Sequence, residues 1–281
     1  MYFRETASRA FTLLAKNPPL LGRMLFAKAK AIRPAAGPMV QCRFGDVLFE
    51  VDSSLRVNAA AMRCAASCPL VVEAMKRYLR PGGIFIDVGA NVGYLSAIAA
   101  SLVGPRGQIH CFEPVPRYVL SLRRLVELNP RHFIVVSPFA VGAVAGVSNV
   151  HITREPGQNT LVAGYKSGAE VRASIEVPVV RLDSYIEAHE LARIDLIKID
   201  AEGFELPILE GLTGFFDTGE RPTIICEIAP RAYPLMGREI RELVQLMSRF
   251  GYSARDIIDG KTAVDLPALK YVTDVLFLAD N

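Results

Sequence analysis

An acid and two glycines follow a short apolar segment, in a spacing that suits a ligand-binding turn. The segment "IFIDV", residues 84–88, contains Asp87 near its end, and Gly89 and Gly93 flank Asn91 directly after it. Glycine adopts backbone dihedrals that other residues avoid and lets a ligand approach the main chain closely. The N–H groups of a following helix point toward such a ligand. The pattern therefore predicts a binding turn at the end of a strand.

Two ligand classes compete for this turn, a dinucleotide and S-adenosylmethionine. A dinucleotide fold uses Gly-x-Gly-x-x-Gly, with the second glycine against the pyrophosphate. Asp87 would repel a pyrophosphate, whereas its carboxylate can accept hydrogen bonds from the ammonium group of a methionine-type ligand. Glu113 ends the next apolar segment, where it can bind both hydroxyls of an adenosine ribose. Glu113 fits either ligand, and Asp87 favours S-adenosylmethionine.

A second group of reactive side chains lies in "LIKIDAEG", residues 196–203. Lys198, Asp200 and Glu202 alternate along a predicted strand, so they share one parity. A lysine in a central strand needs a carboxylate partner to keep its charge, and we expect Asp200 or Asp87. That ion pair serves either the reaction or the sheet alone. Asp200 and Glu202 are the candidates for taking a proton from a sugar-type hydroxyl, which is a poor nucleophile.

Other polar residues carry weaker signals. Glu227 ends the following predicted strand and is a candidate for binding the hydroxyls of an acceptor. Two acids at one site can hold a divalent ion, but the sequence shows no third ligand, so we expect no metal. His110 is predicted to be a core histidine, and only His151, near a long loop, is a candidate base.

These residues require a parallel sheet to bring them together. From about residue 70, apolar strand-like segments alternate with helical ones, which indicates a sheet covered on both faces. Strands are predicted at 84–88, 108–114, 194–200, 222–230, 253–258 and 271–279, and a strand followed by a loop at 133–142. Helices are predicted at 69–79, 93–103, 117–129, 205–216 and 239–252, and the segment 180–189 is predicted to turn into a helix. The last two strands are candidates for antiparallel pairing. Ligands bind where the carboxyl ends of parallel strands meet.

Two further segments flank this alternation. Residues 40–51 alternate around Gly45 and Asp46 and predict a β-hairpin. Residues 144–180 lack helical periodicity and carry turn signals, so we expect strands joined by a long loop that covers the site. We divide the chain into an N-terminal arm with its hairpin, 1–68, and a catalytic domain, 69–281.

The composition excludes several classes of protein. The chain has 281 residues and a net charge of only +3, far below the basic balance of a nucleic-acid-binding protein. Residues 1–40 are basic and amphipathic but lack the apolar core of a secretory signal, so they predict a helix packed on the domain or a membrane-surface contact. Five cysteines in a long chain without such a signal make disulfides improbable. We expect a cytoplasmic location, peripheral to a membrane if the arm contacts lipid.

The chain resembles FkbM-type S-adenosylmethionine-dependent methyltransferases over roughly residues 70–279. The resemblance is carried by "FIDVGANVGY", "CFEPVP", "FAVG", "VRLDSYI", "IDLIKIDAEGFE", "IICEI" and "DVLFL". It implies an α/β fold with a Rossmann-like, seven-stranded class I methyltransferase sheet, mostly parallel with an antiparallel last strand. It also implies O-methylation of a hydroxyl on a sugar, glycan or secondary metabolite. The family pattern would place around the cofactor Asp87, Gly89, Asn91, Gly93 and Glu113, with Ala140 and Val141 near the adenine.

Two alternatives remain open at the level of sequence. An NAD(P)-dependent oxidoreductase would also have an acid that binds the ribose, but the glycine pattern that binds a pyrophosphate is missing from this sequence. A non-catalytic membrane-surface binding protein would depend on residues 1–40, and it would have no use for the acids. The expected partner in the leading interpretation is a small-molecule or glycan hydroxyl acceptor.

Overall fold

The computed structural model describes residues 38–53, 68–154, 157–168 and 170–280, which form three sheets. The strands are β1 (Met39–Phe44), β2 (Val47–Asp52), β3 (Ile84–Val88), β4 (Gln108–Phe112), β5 (Phe133–Ser137), β6 (Ala140–Val141), β7 (Gly146–Thr153), β8 (Val171–Val180), β9 (Leu196–Ile199), β10 (Thr223–Ile228), β11 (Tyr252–Asp256) and β12 (Thr273–Ala279). Seven of them form the central sheet in the order β11-β12-β10-β9-β3-β4-β5. β12 pairs antiparallel with both β10 and β11, and the other pairs of neighbouring strands are parallel, so the predicted sheet is confirmed.

Helices cover both faces of this sheet. They are α1 (Pro69–Tyr78), α2 (Tyr94–Val103), α3 (Pro116–Leu128), α4 (Leu182–Ala188), α5 (Glu205–Glu210), α6 (Thr213–Phe216) and α7 (Ile240–Arg249). Successive strand residues belong to different hydrophobic clusters, because alternate side chains point to opposite faces. Phe85 packs in the cluster that contains α1, α2 and α3, and Ile86 packs in the cluster that contains α4 to α7.

Local sequence signals set the helix ends. Pro116 occupies the first turn of α3, where its missing N–H costs no helical hydrogen bond. Gly104 terminates α2 with a φ of +67°, which suits glycine. A capping box between Glu239 and Glu242 begins α7, since each carboxylate accepts a backbone N–H of the other residue.

The predicted hairpin is formed by β1 and β2, and it packs on the central domain. Phe44 and Phe49 contact the Tyr94 ring at the start of α2, with ring centroids 5.7 and 6.4 Å away. The Leu48 N–H donates to Asn129 Oδ1 at 2.8 Å, and Asn129 Nδ2 donates to the Leu48 carbonyl at 2.7 Å. The apolar side of the hairpin thus shares one core with α2 and α3. The rest of the predicted arm lies outside the described residues.

The region 144–180 forms a small second sheet and a covering segment, as predicted. The sheet has the order β6-β8-β7, with β7 and β8 antiparallel. Residues 157–168, which we call the strap, connect those two strands. Backbone hydrogen bonds between His151 and Thr160, at 2.8 and 3.3 Å, fix the strap to β7.

The structure differs from the prediction at 205–216, where one helix was expected and two short ones are present. Gly211 lies against the Gly142 carbonyl, so a Cβ there would be 2.4 Å from that oxygen. The Gly211 carbonyl accepts the Asp183 N–H at 2.9 Å. These close contacts with neighbouring segments interrupt the helix between α5 and α6.

In the part of the chain that the structure describes, the helices are too short or too polar to cross a bilayer. Among these residues, Cys111 and Cys226 are buried free thiols.

Candidate active site

Asp87 lies buried at the carboxyl end of β3. Its side chain is 2% exposed and accepts a hydrogen bond from Ser96 Oγ on α2 at 2.5 Å. Burial raises the pKa of Asp87 to about 6, although the Ser96 hydrogen bond and the Lys198 ammonium act in the opposite direction. A carboxyl group in this setting would be stabilised in its ionised form by a bound cation.

The turn after β3 adopts the left-handed backbone that its glycines predict. Gly89 and Gly93 have φ of +82° and +90°, and Asn91 has φ of +52°. The reason for Gly89 differs from the one expected, since a Cβ would lie 1.8 Å from the Asp200 carbonyl oxygen. Gly89 is therefore required by the close packing of this turn on the end of β9. Gly93 similarly packs against Leu122, whose Cδ2 would be 2.7 Å from an added Cβ.

Glu113 connects the end of β4 to that turn. It is buried, and its carboxylate accepts the Asn91 N–H at 2.9 Å and the Val115 N–H at 2.7 Å. Burial raises the pKa of Glu113 to about 7, and the two backbone N–H groups oppose this rise. The side chain oxygen Oδ1 of Asn91 is also buried and has no hydrogen-bond partner within the described residues.

One cavity of about 350 Å³ joins these groups to the end of β9. The expected site residues that line it are Asp87, Gly89, Asn91, Glu113, Ala140, Val141, Asp200 and Glu202. Gly93, Lys198 and Glu227 do not line it. Strap residues Gly157, Asn159 and Leu161 complete the wall, so the strap covers the site as the sequence predicts. Two buried acids and an unpaired amide oxygen fit a ligand that offers an ammonium group and hydroxyls, and they disfavour a pyrophosphate.

Lys198 is almost completely buried, and its partners differ in part from those expected. Its Nζ lies 3.5 Å from Asp200 Oδ2 and 3.5 Å from Asp274 Oδ1. Asp87 is opposite Lys198 in the sheet register but makes no ion pair with it, because its carboxyl group is hydrogen-bonded to Ser96. Burial lowers the pKa of Lys198, but the neighbouring carboxylates, of which Asp200 and Asp274 have the largest effects, raise it by more, so the net shift of its pKa is upward.

Three acids converge at the carboxyl ends of β9 and β10. Asp200, Glu202 and Glu227 each offer one carboxylate oxygen, and these oxygens lie within 4.8 Å of one another. The expectation that no third acid is available is therefore wrong, because the parallel pairing of β10 with β9 brings Glu227 to the same edge. The cluster has the oxygen ligands that a divalent cation accepts. Two lysines already neutralise part of its charge.

Two residues of the strap contact Glu202, one at its carboxylate and one at its carbonyl group. Lys166 Nζ lies 2.9 Å from Glu202 Oε2, and Thr160 Oγ1 donates to the Glu202 carbonyl at 2.7 Å. Glu202 has a φ of +49°, which is uncommon for a residue with a side chain. Burial raises the pKa of Glu202, and its interactions with Lys166 oppose that rise. These contacts fix both the backbone and the carboxylate of Glu202.

Glu227 has a different environment from Asp200 and Glu202. No lysine or arginine nitrogen of the described residues lies within 4.0 Å of its carboxylate. Burial raises its pKa to about 9, and the negative charge of Asp200 adds to this effect. Glu227 is therefore the acid of this cluster whose surroundings most favour the protonated form.

Two histidines, His110 and His151, do not belong to this cluster of acids. His110 is buried in the core and hydrogen-bonds to the Tyr185 hydroxyl at 2.9 Å, as the prediction of a core histidine requires. His151 hydrogen-bonds to Ser174 on β8 at 2.8 Å and does not line the cavity. Within the described residues, the side-chain hydrogen bond of His151 joins it to Ser174 and not to the acids that line the cavity.

Sequence reasoning missed Asp274, Lys166 and Glu205. Asp274 is the second residue of β12, and an antiparallel strand begins at the edge where its parallel neighbours end, so topology could have revealed it. Glu205 is fully buried and accepts the Gly203 N–H at 2.7 Å, which fixes the turn that carries Glu202. Lys166 lies in the strap, where no periodic pattern indicates the direction of a side chain.

The fold and cavity define a class I methyltransferase architecture. Residues 87–254, more than half of the chain, match the Methyltransferase FkbM domain. The chain therefore belongs to the FkbM methyltransferase family, and its cofactor is S-adenosylmethionine. This assignment decides between the two ligand classes considered for the turn after β3, and it excludes the dinucleotide.

Two curated relatives and one solved structure illustrate the similarity. The chain is 30% identical over 165 residues to 31-O-demethyl-FK506 methyltransferase FkbM from Streptomyces tacrolimicus, covering 48% of this chain and 61% of that protein. It is 28% identical over 143 residues to hexuronic acid methyltransferase AglP from Haloferax volcanii, covering 51% and 55%. The chain thus spans little more than half the length of these relatives. TYW2 of M. jannaschii in complex with AdoMet is 12% identical, with a TM-score of 0.42 and coverage of 89% and 90%.

Proposed function

We propose that this protein is an S-adenosylmethionine-dependent O-methyltransferase that acts on a hydroxyl of a sugar, glycan or secondary metabolite. The observation that carries the proposal is the single cavity that joins the buried acids Asp87 and Glu113 to Asp200 and Glu202. A group that binds a cationic nucleoside and a group that accepts a proton are thus neighbours. The printed names of the two relatives, a methyltransferase of 31-O-demethyl-FK506 and one of hexuronic acid, agree with an oxygen-rich acceptor.

The cofactor half of the cavity would be built by the ends of β3 and β4. Asp87 would accept hydrogen bonds from the ammonium group, directly or through water, and Glu113 would accept them from the ribose hydroxyls. The unpaired Oδ1 of Asn91 offers one further acceptor. Gly89 and Gly93 shape the turn, and the buried Ala140 and Val141 supply an apolar surface for the adenine.

The acceptor half would be built by the end of β9. When bound, the cofactor would supply a methyl group to the acceptor oxygen. The bond between the methyl carbon and the sulfonium sulfur would break, and its electron pair would stay on the sulfur. Asp200 takes the hydroxyl proton, because it lines the cavity and its side chain is 37% exposed. Glu202 is less available, since Lys166 holds its carboxylate. Alignment of the hydroxyl with the methyl group is the main requirement of the reaction.

The test has two stages. Isothermal titration with S-adenosylhomocysteine should show binding, whereas NADH should show none. Release of S-adenosylhomocysteine should then be followed with a panel of acceptors that includes methyl glycosides, uronic acids and oxygenated polyketides. The proposal fails if the cofactor binds but only nitrogen, sulfur or carbon acceptors are methylated.

A further inference from the structure

Four acids and two lysines meet at the carboxyl ends of β9 and β10. Three of the acids have a lysine as ion-pair partner, and the fourth has none among the described residues. The acids are Asp200, Glu202, Glu227 and Asp274, and the lysines are Lys166 and Lys198. Lys166 pairs with Glu202 at 2.9 Å, and Lys198 lies 3.5 Å from both Asp200 and Asp274. Glu227 is the one acid of the four without a lysine or arginine nitrogen of the described residues within 4.0 Å.

Strand pairing also places like charges around Glu227. Glu227 and Asp274 are direct cross-strand partners in the antiparallel pair of β10 and β12. Acids in such positions repel each other. On the other side, the carboxylate oxygens of Asp200 and Glu202 lie within 4.8 Å of a Glu227 oxygen. A carboxyl group that is shielded from water between like charges retains a proton.

Lys198 has two acid partners, Asp200 and Asp274, and in the proposed reaction Asp200 takes up a proton. Its side chain is 2% exposed, and a buried ammonium group without a counter-charge is strongly destabilising. When Asp200 takes the hydroxyl proton, it becomes neutral and no longer compensates Lys198. Asp274, whose Oδ1 lies 3.5 Å from the same nitrogen, takes no part in the proton transfer and keeps its contact with Lys198. The charge of Lys198 is thus balanced before and after methyl transfer.

We propose that Asp274 is a positioning residue, which shares Lys198 with Asp200 and so leaves Asp200 able to accept a proton beside Glu227, whose carboxyl group donates a hydrogen bond. The acceptor that fits this pair carries a second oxygen on the carbon next to its reacting hydroxyl, as in a 1,2-diol or a hydroxy ether. Asp200, which lines the cavity, accepts the hydroxyl proton. Glu227 lies outside the lining, but one of its carboxylate oxygens is within 4.8 Å of an Asp200 oxygen, so it donates a hydrogen bond to a second oxygen that extends past Asp200. This substrate class rests on the proposed function.

The protonation of Glu227 can be measured without an acceptor. Full-length protein with ¹³C-carboxyl-labelled glutamate is titrated by NMR, and Glu227→Gln identifies the signal. In the wild type, Glu227 should be neutral at pH 7 and titrate near pH 9. The groups that face it are Lys198, Asp200 and Glu202 from β9 and its turn, Asp274 from β12, and Tyr165 from the strap.

Removal of one negative charge should shift this titration. Asp274→Asn should lower the midpoint for Glu227 by about one pH unit, and Asp274→Glu should restore it. Asp280→Asn is the matched control, because Asp280 lies just beyond the same strand, pairs with Arg255 at 3.7 Å and is 56% exposed. A wild-type midpoint below pH 6 would overturn the proposal even if Asp274→Asn fails to fold. Equal shifts in Asp274→Asn and Asp280→Asn would do the same.

The substrate class is tested with methyl glycosides and their monodeoxy analogues. The wild type should prefer the intact diol by about tenfold, the value of one hydrogen bond. Glu227→Gln keeps a donor and should retain the preference, and Glu227→Ala should lose it. Inactivity of Glu227→Gln with unchanged binding of S-adenosylhomocysteine would show that Glu227 is a base and refute the assignment. If no oxygen acceptor is methylated, the proposed function fails, and the NMR titration still decides the charge distribution.

Discussion

Glu113 accepts a hydrogen bond from the Asn91 N–H at 2.9 Å and so joins the end of β4 to the turn after β3. The same carboxylate accepts the Val115 N–H at 2.7 Å, at the entry to α3. Both backbone groups hold the carboxylate at the wall of the cavity. Two adjacent strand ends are thereby fixed as one binding surface.

Replacement of Glu113 should weaken cofactor binding. Glu113→Gln keeps the shape of the side chain but removes the charge and one of the two acceptor oxygens, so we expect about a tenfold or greater loss of affinity for S-adenosylhomocysteine. Isothermal titration measures the loss. Glu127→Gln is the control, since Glu127 is 66% exposed on the neighbouring helix α3. Unchanged affinity in Glu113→Gln would refute the ribose-binding role.

Cofactor binding should strengthen as the pH rises through 6. The pKa of Asp87 is raised to about 6 in the free protein, so below that pH the group is largely protonated and cannot compensate an ammonium group. A ligand that prefers the ionised form loses up to about tenfold in affinity for each pH unit below the pKa. Glu113, with a pKa raised to about 7, adds a second step in the same direction.

The experiment is isothermal titration with S-adenosylhomocysteine between pH 5 and 8. We expect a gain in affinity of about tenfold from Asp87 alone between pH 5 and pH 6.5, with a further gain from Glu113. Asp87→Asn should bind more weakly and lose the share of the gain that comes from Asp87. An affinity that is independent of pH in the wild type would show that Asp87 does not contact the ammonium group.

Most of the site could be predicted from the sequence, because ligands bind where the carboxyl ends of parallel strands meet, and that place depends only on topology. Strands of continuous apolar residues indicate a parallel sheet, and their carboxyl ends must meet at one edge. The sequence therefore predicts that four acids lie together, and the structure brings all four to one cavity: Asp87, Glu113, Asp200 and Glu202.

The parts that could not be predicted depend on contacts between segments distant in sequence. Gly89 is required by the Asp200 carbonyl, which lies more than a hundred residues further along the chain. Lys166 reaches Glu202 from the strap, whose path is not encoded in a periodic pattern. The break between α5 and α6 likewise reflects the packing of Gly211 on Gly142, which helix propensity does not report.

Gly89→Ala should destabilise the protein strongly. A Cβ at this position would lie 1.8 Å from the Asp200 carbonyl oxygen, and the φ of +82° disfavours alanine on its own. We expect a loss of more than about 2 kcal/mol in the free energy of unfolding, measured by denaturation in urea. Gly146→Ala is the control, because an added Cβ there meets no atom within 4 Å. Similar stability of the two variants would contradict the close packing of this turn.

A divalent cation should not stabilise the protein. Asp200, Glu202 and Glu227 offer three oxygens within 4.8 Å, but Lys198 and Lys166 already compensate two of these acids. Any ion that binds the folded state raises the melting temperature by mass action. We therefore expect equal melting temperatures in EDTA and in millimolar Mg²⁺ or Mn²⁺. A rise that Glu227→Gln abolishes would show instead that the cluster is a metal site.

Release of the cofactor should depend on the ion pair between the strap and the end of β9. Lys166 and Glu202 are both largely buried and lie 2.9 Å apart, and strap residues Gly157 and Leu161 line the cavity. Loss of a buried charge partner leaves the other charge uncompensated. Lys166→Met should therefore open the strap more often and accelerate dissociation of S-adenosylhomocysteine by about tenfold, as measured by stopped-flow displacement.

The control for the strap is Lys270→Met, which replaces an exposed lysine far from this ion pair in sequence. It should leave the dissociation rate unchanged. Glu202→Gln should accelerate dissociation as Lys166→Met does, because either change removes the same pair. Combining the two substitutions should add little to the effect of one, since residues that act only through each other are not additive. A fully additive double variant would show that the strap is held by other contacts, of which the hydrogen bond from Thr160 to the Glu202 carbonyl is the first to test.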